Sequence, residues 1–389
     1  KAHQERGLEL QESHEHHGVD GNTRAIQLRG EYLYTAAGQD GLRVYDVANV
    51  ANKGFSERIV TSPVSPLGQD THVASEDATG IALPTTMPVA PFKPQLSENL
   101  ETPMHAIYHY AFISDAVEGL IVVNVDTLQD GEPRNNFLKR SVTWNEGGIL
   151  SGAQNITLAG ARAFIGTQDK VVVLNLEDPL KPRVEASWPA HKPTAVAIQF
   201  RYAFMTDAEG FHVIDITYPE QPRFVSKASI ALPDARNVYV ARTYAYVAGG
   251  AEGVVIIDIE KPEQPHIYIK HTADGTINDT NDIKIASTNA SLFAYVADGK
   301  NGLVVLQLTD PERVPEFYGF SPPVKPLVIA RKRLSGPAMA ISKPLDRDRA
   351  VDETGHQVSV MGRLGSRPFN LEEMRRMFIN SAGKLWTVR

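Results

Sequence analysis

Apolar residues along this chain fall into two alternating patterns. An aromatic-rich stretch alternates large and small side chains, a tight turn carrying Gly or an acid follows, and a continuous aliphatic run then ends on Asp, Asn or Gln. Tyr32-Leu33-Tyr34 leads to Gly41-Leu42-Arg43-Val44-Tyr45-Asp46, and Tyr110-Ala111-Phe112 to Gly119-Leu120-Ile121-Val122-Val123-Asn124. Ala163-Phe164-Ile165 leads to Lys170-Val171-Val172-Val173-Leu174-Asn175, and Tyr202-Ala203-Phe204 to Gly210-Phe211-His212-Val213-Ile214-Asp215. The last two copies join Tyr244-Ala245-Tyr246 to Gly253-Val254-Val255-Ile256-Ile257-Asp258 and Phe293-Ala294-Tyr295 to Gly302-Leu303-Val304-Val305-Leu306-Gln307. Period-2 alternation rich in aromatic and β-branched residues predicts strands, and no 3.6-residue pattern competes with it.

The turn residues Gly41, Gly119, Lys170, Gly210, Gly253 and Gly302 recur at intervals of 78, 51, 40, 43 and 49 residues. The shorter intervals match the roughly 40 to 50 residues of a four-stranded propeller blade. Short links such as Asp207-Ala208-Glu209-Gly210 have hairpin chemistry, since acids bond the local backbone and Gly supplies positive φ. The third copy has Lys170 in place of Gly, which predicts the least regular turn. Pro-bearing exits follow the third strands, as in Tyr218-Pro219-Glu220-Gln221-Pro222 and Lys261-Pro262-Glu263-Gln264-Pro265. Proline cannot donate to a ladder, so Arg223-Phe224-Val225-Ser226 reads as an outer strand. Ala25-Ile26-Gln27-Leu28, Ala195-Val196-Ala197-Ile198 and Val238-Tyr239-Val240 supply the strand before each aromatic one. The expected fold is all-β, a six-bladed propeller of four-stranded blades. Residues 352–360 echo the turn and aliphatic strand without the aromatic strand, so a stray hairpin is expected there and seven blades is the alternative.

Three segments stand outside the repeat spanning 24–320. An N-terminal arm, 1–23, contains His3 and the cluster His14-Glu15-His16-His17. A Pro-rich insertion, 56–103, separates the first two units and reads as an arm across a propeller face or a neighbour. Its margins, Ile59-Val60-Thr61 and Met104-His105-Ala106-Ile107, are the expected sources of strands. The extension 321–389 is basic, and the capping-box pattern Asn370-Leu371-Glu372-Glu373 opens a predicted helix, 371–379, with Met374, Met377 and Phe378 as its apolar stripe. That helix is expected to pack on its own propeller or to dock on another chain.

A net charge of −7 argues against a nucleic-acid binder, which needs a basic face to neutralise phosphates. No apolar run approaches a membrane span. The polar start Lys1-Ala2-His3-Gln4-Glu5-Arg6 has no signal-peptide pattern and reads as a processed end or as one short of the true start. The chain has no cysteine, which removes disulfides, thiolate chemistry and any covalent c-type haem of its own.

Tyr244-Ala245-Tyr246-Val247-Ala248 and Gly253-Val254-Val255-Ile256-Ile257-Asp258-Ile259, followed by Pro262-x-x-Pro265, resemble the LVIVD-repeat family of bacterial β-propellers. The resemblance extends over about 24 to 320. It implies an extracytoplasmic setting, in the periplasm or at the cell surface, beside multihaem c-type cytochromes in electron transfer.

No nucleophile elbow, P-loop, dinucleotide fingerprint or zincin helix is present. Two sets of residues remain as metal candidates. His14, His16 and His17 have the chemistry to ligate a metal or a haem iron presented by a partner, against a solvated arm as the alternative. The turn acids Asp115, Asp207 and Asp298, with Glu209 and Glu252, would form a calcium or other cation site if they met at the channel mouth, against local bonding to their own turns. His212 and His266 read as packed or surface histidines. The leading expectation is a non-enzymatic structural and interaction subunit of an extracytoplasmic assembly whose partner is a c-type cytochrome. The alternatives are a metal-dependent enzyme with its site at the channel mouth and a surface adhesin or ligand-binding module.

Overall fold

Strands that are apolar on both faces bury fully only with a sheet packed against each side. The computed structural model describes residues 6–7, 22–47, 70–84, 105–130, 135–288, 291–314, 321–342, 351–352, 363–364 and 367–386. They form six antiparallel blades in a ring, each with four strands in chain order from the central channel outward.

The first blade is Ala25–Arg29, Tyr32–Ala36, Leu42–Asp46 and His72–Val73. The second is Ala78–Ala82, Tyr110–Asp115, Gly119–Asn124 and Lys139–Trp144. Asn155–Ala159, Arg162–Gly166, Lys170–Asn175 and Arg183–Pro189 make the third. The fourth comprises Ala195–Gln199, Tyr202–Thr206, Gly210–Asp215 and Arg223–Ala231. In the fifth they are Asn237–Ala241, Tyr244–Ala248, Val254–Asp258 and His266–His271. Asp282–Thr288, Ser291–Ala297, Leu303–Thr309 and Leu327–Lys332 complete the sixth.

Several expectations are revised. There is no seventh blade among the described residues: Val351–Asp352 pairs with Ala286 and Ser287 on the inner strand of the sixth, and 353–360 lie outside the described residues. The Pro-rich insertion contributes the strands His72–Val73 and Ala78–Ala82 from its middle; of its margins, Ala106–His109 form a 3-10 turn rather than a strand, while Ile59-Val60-Thr61 and Met104 lie outside the described residues. The last outer strand, Leu327–Lys332, lies past residue 320. The third turn is regular, closed by Thr167 N–H to Lys170 O at 2.8 Å much as Asp207 N–H to Gly210 O closes the fourth at 2.9 Å. Gly210 sits at φ +142°, where a Cβ would come within 2.1 Å of Ile230 O on the outer strand, whereas Lys170 is not among the residues with positive φ. A different local backbone therefore makes room for the lysine side chain.

Five apolar cores fill the five junctions from blade one to blade six. On the fifth blade Tyr244, Tyr246 and Ala248 face blade six while Ala245 and Val247 face blade four, so both halves of the alternation are buried. Each fully buried aliphatic or aromatic side chain there contributes about 1.5–3 kcal/mol. Among the described residues no comparable cluster joins blades six and one. The extension from residue 338 lies at that seam: Ala338 exchanges backbone bonds with Gly299, Ile341 N–H donates to Asp282 Oδ2 at 2.9 Å, and Leu28 N–H donates to Ser342 Oγ at 2.7 Å. Arg6–Gly7 runs parallel to Leu327–Lys332 as an added outer strand.

The helix spans Leu371–Phe378 with the expected capping box, Asn370 accepting from Glu373 N–H and Glu373 accepting from Asn370 N–H. It packs on its own propeller: Met374 is buried with Phe164, Trp188 and Met205 in the core between blades three and four.

Candidate functional site

Antiparallel order places the start of every inner strand and every central hairpin on one face of the ring, here the upper face. The turns leaving the inner strands and the Pro-bearing exits lie on the lower face. The inner strands of all six blades, with Met339, Ala340 and Ser342, line a central cavity of about 390 Å³.

Charged side chains ring its upper mouth in paired form. Arg24 meets Asp77 at 2.8 Å. Arg236 donates to Asp234 through Nε and Nη2, both at 2.8 Å, and through Nη1 to Asp279 at 2.9 Å and Asn281 at 2.8 Å. The bonds to Asp234 and Asp279 raise the Arg236 pKa above its ordinary value against a smaller opposing effect of burial. Deeper in, Lys284 bonds Asp282 at 2.6 Å and lies 5.7 Å from the Tyr239 ring centre. The mouth is therefore polar and internally neutralised.

The three turn acids belong to blades two, four and six. Each latches two loops of its own blade. Asp115 accepts from Val117 and Glu118 N–H in its turn, both at 2.8 Å, and from Asp77 N–H ahead of the inner strand at 2.7 Å. Asp207 accepts from Glu209 N–H at 2.8 Å and Gly210 N–H at 3.1 Å, and from His191 N–H at 3.2 Å. Asp298 accepts from Asp279 N–H at 2.8 Å and Asn301 Nδ2 at 2.9 Å. Burial raises the Asp298 pKa above 3.8. Burial also opposes the charge on Asp207, but the His212 bond and the amides outweigh it and leave that pKa below 3.8. Among the described residues no three His, Asp or Glu are grouped to hold a metal ion. His14, His16 and His17 lie outside the described residues. His266 is an exposed residue opening an outer strand, and His212 bonds Asp207 and Ser229.

The lower face carries a feature that pattern reading missed. Val184, Phe224 and Ile267 occupy the second position of successive outer strands and are exposed, Phe224 at 44%. Leu180, Phe200 and Tyr218 lie exposed in lower-face turns of the same three blades or beside them. The C-terminal segment extends this surface: Arg375 pairs with Glu220, Ile379 and Leu385 form a small cleft with Tyr218 and Arg223, and Trp386 is 64% exposed with its Nε1 donating to Arg376 O at 3.1 Å. The signal was present as Pro182-Arg183-Val184, Pro222-Arg223-Phe224 and Pro265-His266-Ile267, an apolar residue at a fixed distance after the second proline of each exit.

The LVIVD repeat model matches residues 20–61, 233–269 and 287–312. No curated protein matches the chain significantly. A protein from Bacteroides uniformis described as a candidate 6-phosphogluconolactonase is similar in structure, with 12% identity over 77% of this chain and 80% of that one and a TM-score of 0.52. Sqt1 of Chaetomium thermophilum, solved bound to the N-terminus of ribosomal protein L10, is 13% identical over 83% of this chain and 78% of that one, also with a TM-score of 0.52. At these identities the likeness is one of fold, a β-propeller. Among the described residues no helix is long and apolar enough to cross a membrane.

Proposed function

We propose that this six-bladed propeller, built on LVIVD repeats, is a structural and docking subunit whose contact surface is the lower rim of blades three to five. The observation that carries it is the exposed row Val184, Phe224 and Ile267, repeated on three adjacent blades and continued by Leu385 and Trp386 of the extension. A monomer gains only the partial burial of apolar side chains held at matching exposed positions, while a partner covering them gains the rest. The partner we propose is a multihaem c-type cytochrome in an extracytoplasmic electron-transfer assembly. The resemblance to LVIVD propellers supports that setting. A chain without cysteine leaves covalent haem to the partner, and the imidazoles of His14, His16 and His17 have the chemistry to ligate its iron.

The test is recovery from native membranes with haem absorbance followed through the purification. A haem-bearing complex is expected, and the triple variant Val184→Asp, Phe224→Asp, Ile267→Asp should weaken it at least about tenfold, since desolvating carboxylates in an apolar contact costs more than 1.4 kcal/mol. A lone haem-free monomer would sink the proposal. The second reading, a metal-dependent enzyme at the channel mouth, rests on the 390 Å³ cavity and would be supported by stoichiometric metal in gently prepared protein.

A further inference from the structure

Blade four departs from the repeat at one strand position. Two residues after the turn, blades two, three, five and six carry Ile121, Val172, Val255 and Val304, and the first blade carries Arg43; blade four carries His212. Its cross-strand partner is Ser229. Nδ1 of His212 lies 2.9 Å from Ser229 Oγ, and Nε2 lies 3.0 Å from Asp207 Oδ1.

The tautomer follows from these contacts. Asp207 is buried and accepts three backbone N–H groups, which favour its ionised form. An ionised Asp207 can only accept from Nε2–H. The neutral imidazole then keeps its lone pair on Nδ1, facing the serine hydroxyl. Phe224 meets the ring edge-on, with centroids 6.1 Å apart at 89°, and limits its rotation.

Ser229 sits on the free edge of the blade and is exposed. The bond from Leu232 N–H to Glu209 O sets the phase of the ladder, so the Ser229 amide points away from the sheet. The outer strand also bulges next to this residue. The stretch from Phe224 to Ser229 lies opposite His212 to Ile214, with Lys227 in the left-handed region at φ +63°. Bulges of this kind re-aim side chains beside active sites.

We propose that Asp207, His212 and Ser229 form an acyl-transfer site for small carboxylic esters, with Ser229 as nucleophile and His212 as general base. Ser229 Oγ bonds to the ester carbonyl carbon as its proton passes to Nδ1, and the outward Ser229 amide donates to the oxyanion. Collapse breaks the carbon–oxygen bond to the alcohol, which leaves with the proton from Nδ1. Water, losing its proton to Nδ1, then attacks the acyl carbon, and the bond from that carbon to Ser229 Oγ breaks as Nδ1 returns the proton to Oγ, releasing the carboxylic acid and restoring the serine hydroxyl. The site meets the lower-rim row at Phe224, which packs on His212, but Ser229, His212 and Asp207 are not part of that row, so failure of Ser229→Ala to act leaves the docking proposal standing.

The full chain is treated with a fluorophosphonate probe and the adduct mapped by mass spectrometry, and p-nitrophenyl acetate hydrolysis is measured in parallel. An adduct on Ser229 is expected. Ser229→Ala and His212→Gln should each lower hydrolysis at least about tenfold, below the range usual for general-base catalysis because a single amide serves the oxyanion. Ser229→Ala is an exposed edge change, and an unaltered circular dichroism spectrum would show its fold intact. No adduct on Ser229, hydrolysis unchanged in Ser229→Ala, or equal labelling rates in the parent and His212→Gln would each overturn the proposal.

Discussion

At the scale of single residues, the repeat is held by side chains whose roles depend on what lies across from them. Glycine after the central turn follows from the close approach of the outer strand: Gly302, at φ +85°, would place a Cβ 2.2 Å from Lys332 O, and Gly210 meets Ile230 O in the same way. Replacing Gly210 by Ala adds a backbone clash to an unfavourable φ and should cost about 1–3 kcal/mol. Lys170→Gly should change stability by less than about 1 kcal/mol, because that turn already closes without positive φ. Chemical denaturation of both variants checks the contrast, and equal losses would refute this account of the turn. The glycines were legible from sequence as hairpin residues, but their collision with the outer strand was not, because it joins residues far apart in the chain. The turn acids were ambiguous for a related reason. An Asp after an aromatic strand can ligate an ion or cap amides, and only the position of the loop before the inner strand decides that Asp115 binds the Asp77 amide.

Among the elements, those with local signals were the easiest to read. The aromatic strands come from period-2 alternation and the aliphatic ones from continuous apolar runs after a turn, and the helix start comes from Asn370 and Glu373, whose reciprocal bonds need only four residues of chain. The strands of the insertion were harder: His72–Val73 is two residues long, and the segment Ala78-Thr79-Gly80-Ile81-Ala82 owes its strand form to pairing with Tyr110–Asp115 rather than to propensity. The docking side of the helix was equally hidden. Met374 enters the core between blades three and four, 1% exposed, and Arg162 Nη1 lies 3.5 Å from its Sδ. Met374→Ala should detach the helix at a cost of about 2–5 kcal/mol to local docking. Hydrogen exchange should then quicken across Leu371–Phe378 while the inner strands remain protected. Unchanged exchange in the helix would show that the Arg375–Glu220 pair holds it without the methionine.

For the whole molecule, the decisive asymmetry is the seam. Five junctions between blades are apolar and gain from burial over broad faces, whereas the junction of blades six and one is bridged through the extension by directional bonds at Ile341 and Ser342. A hydrogen bond contributes about 0.5–1.5 kcal/mol net, more where a carboxylate accepts, so among the described residues this seam is the part of the ring where opening costs least. The double variant Ile341→Pro, Ser342→Ala removes the donor to Asp282 and the acceptor for Leu28 N–H. It should speed hydrogen exchange at Leu28 and along the inner strands Ala25–Arg29 and Asp282–Thr288, and leave Asn237–Ala241 protected. Those two strands flank the seam, while the fifth blade keeps an apolar core on each side. Acceleration spread evenly around all six blades would mean that the ring opens as one cooperative unit. A local response would make the extension the clasp of the propeller, which ties the end of the repeat array to its beginning through residues that no repeat contains.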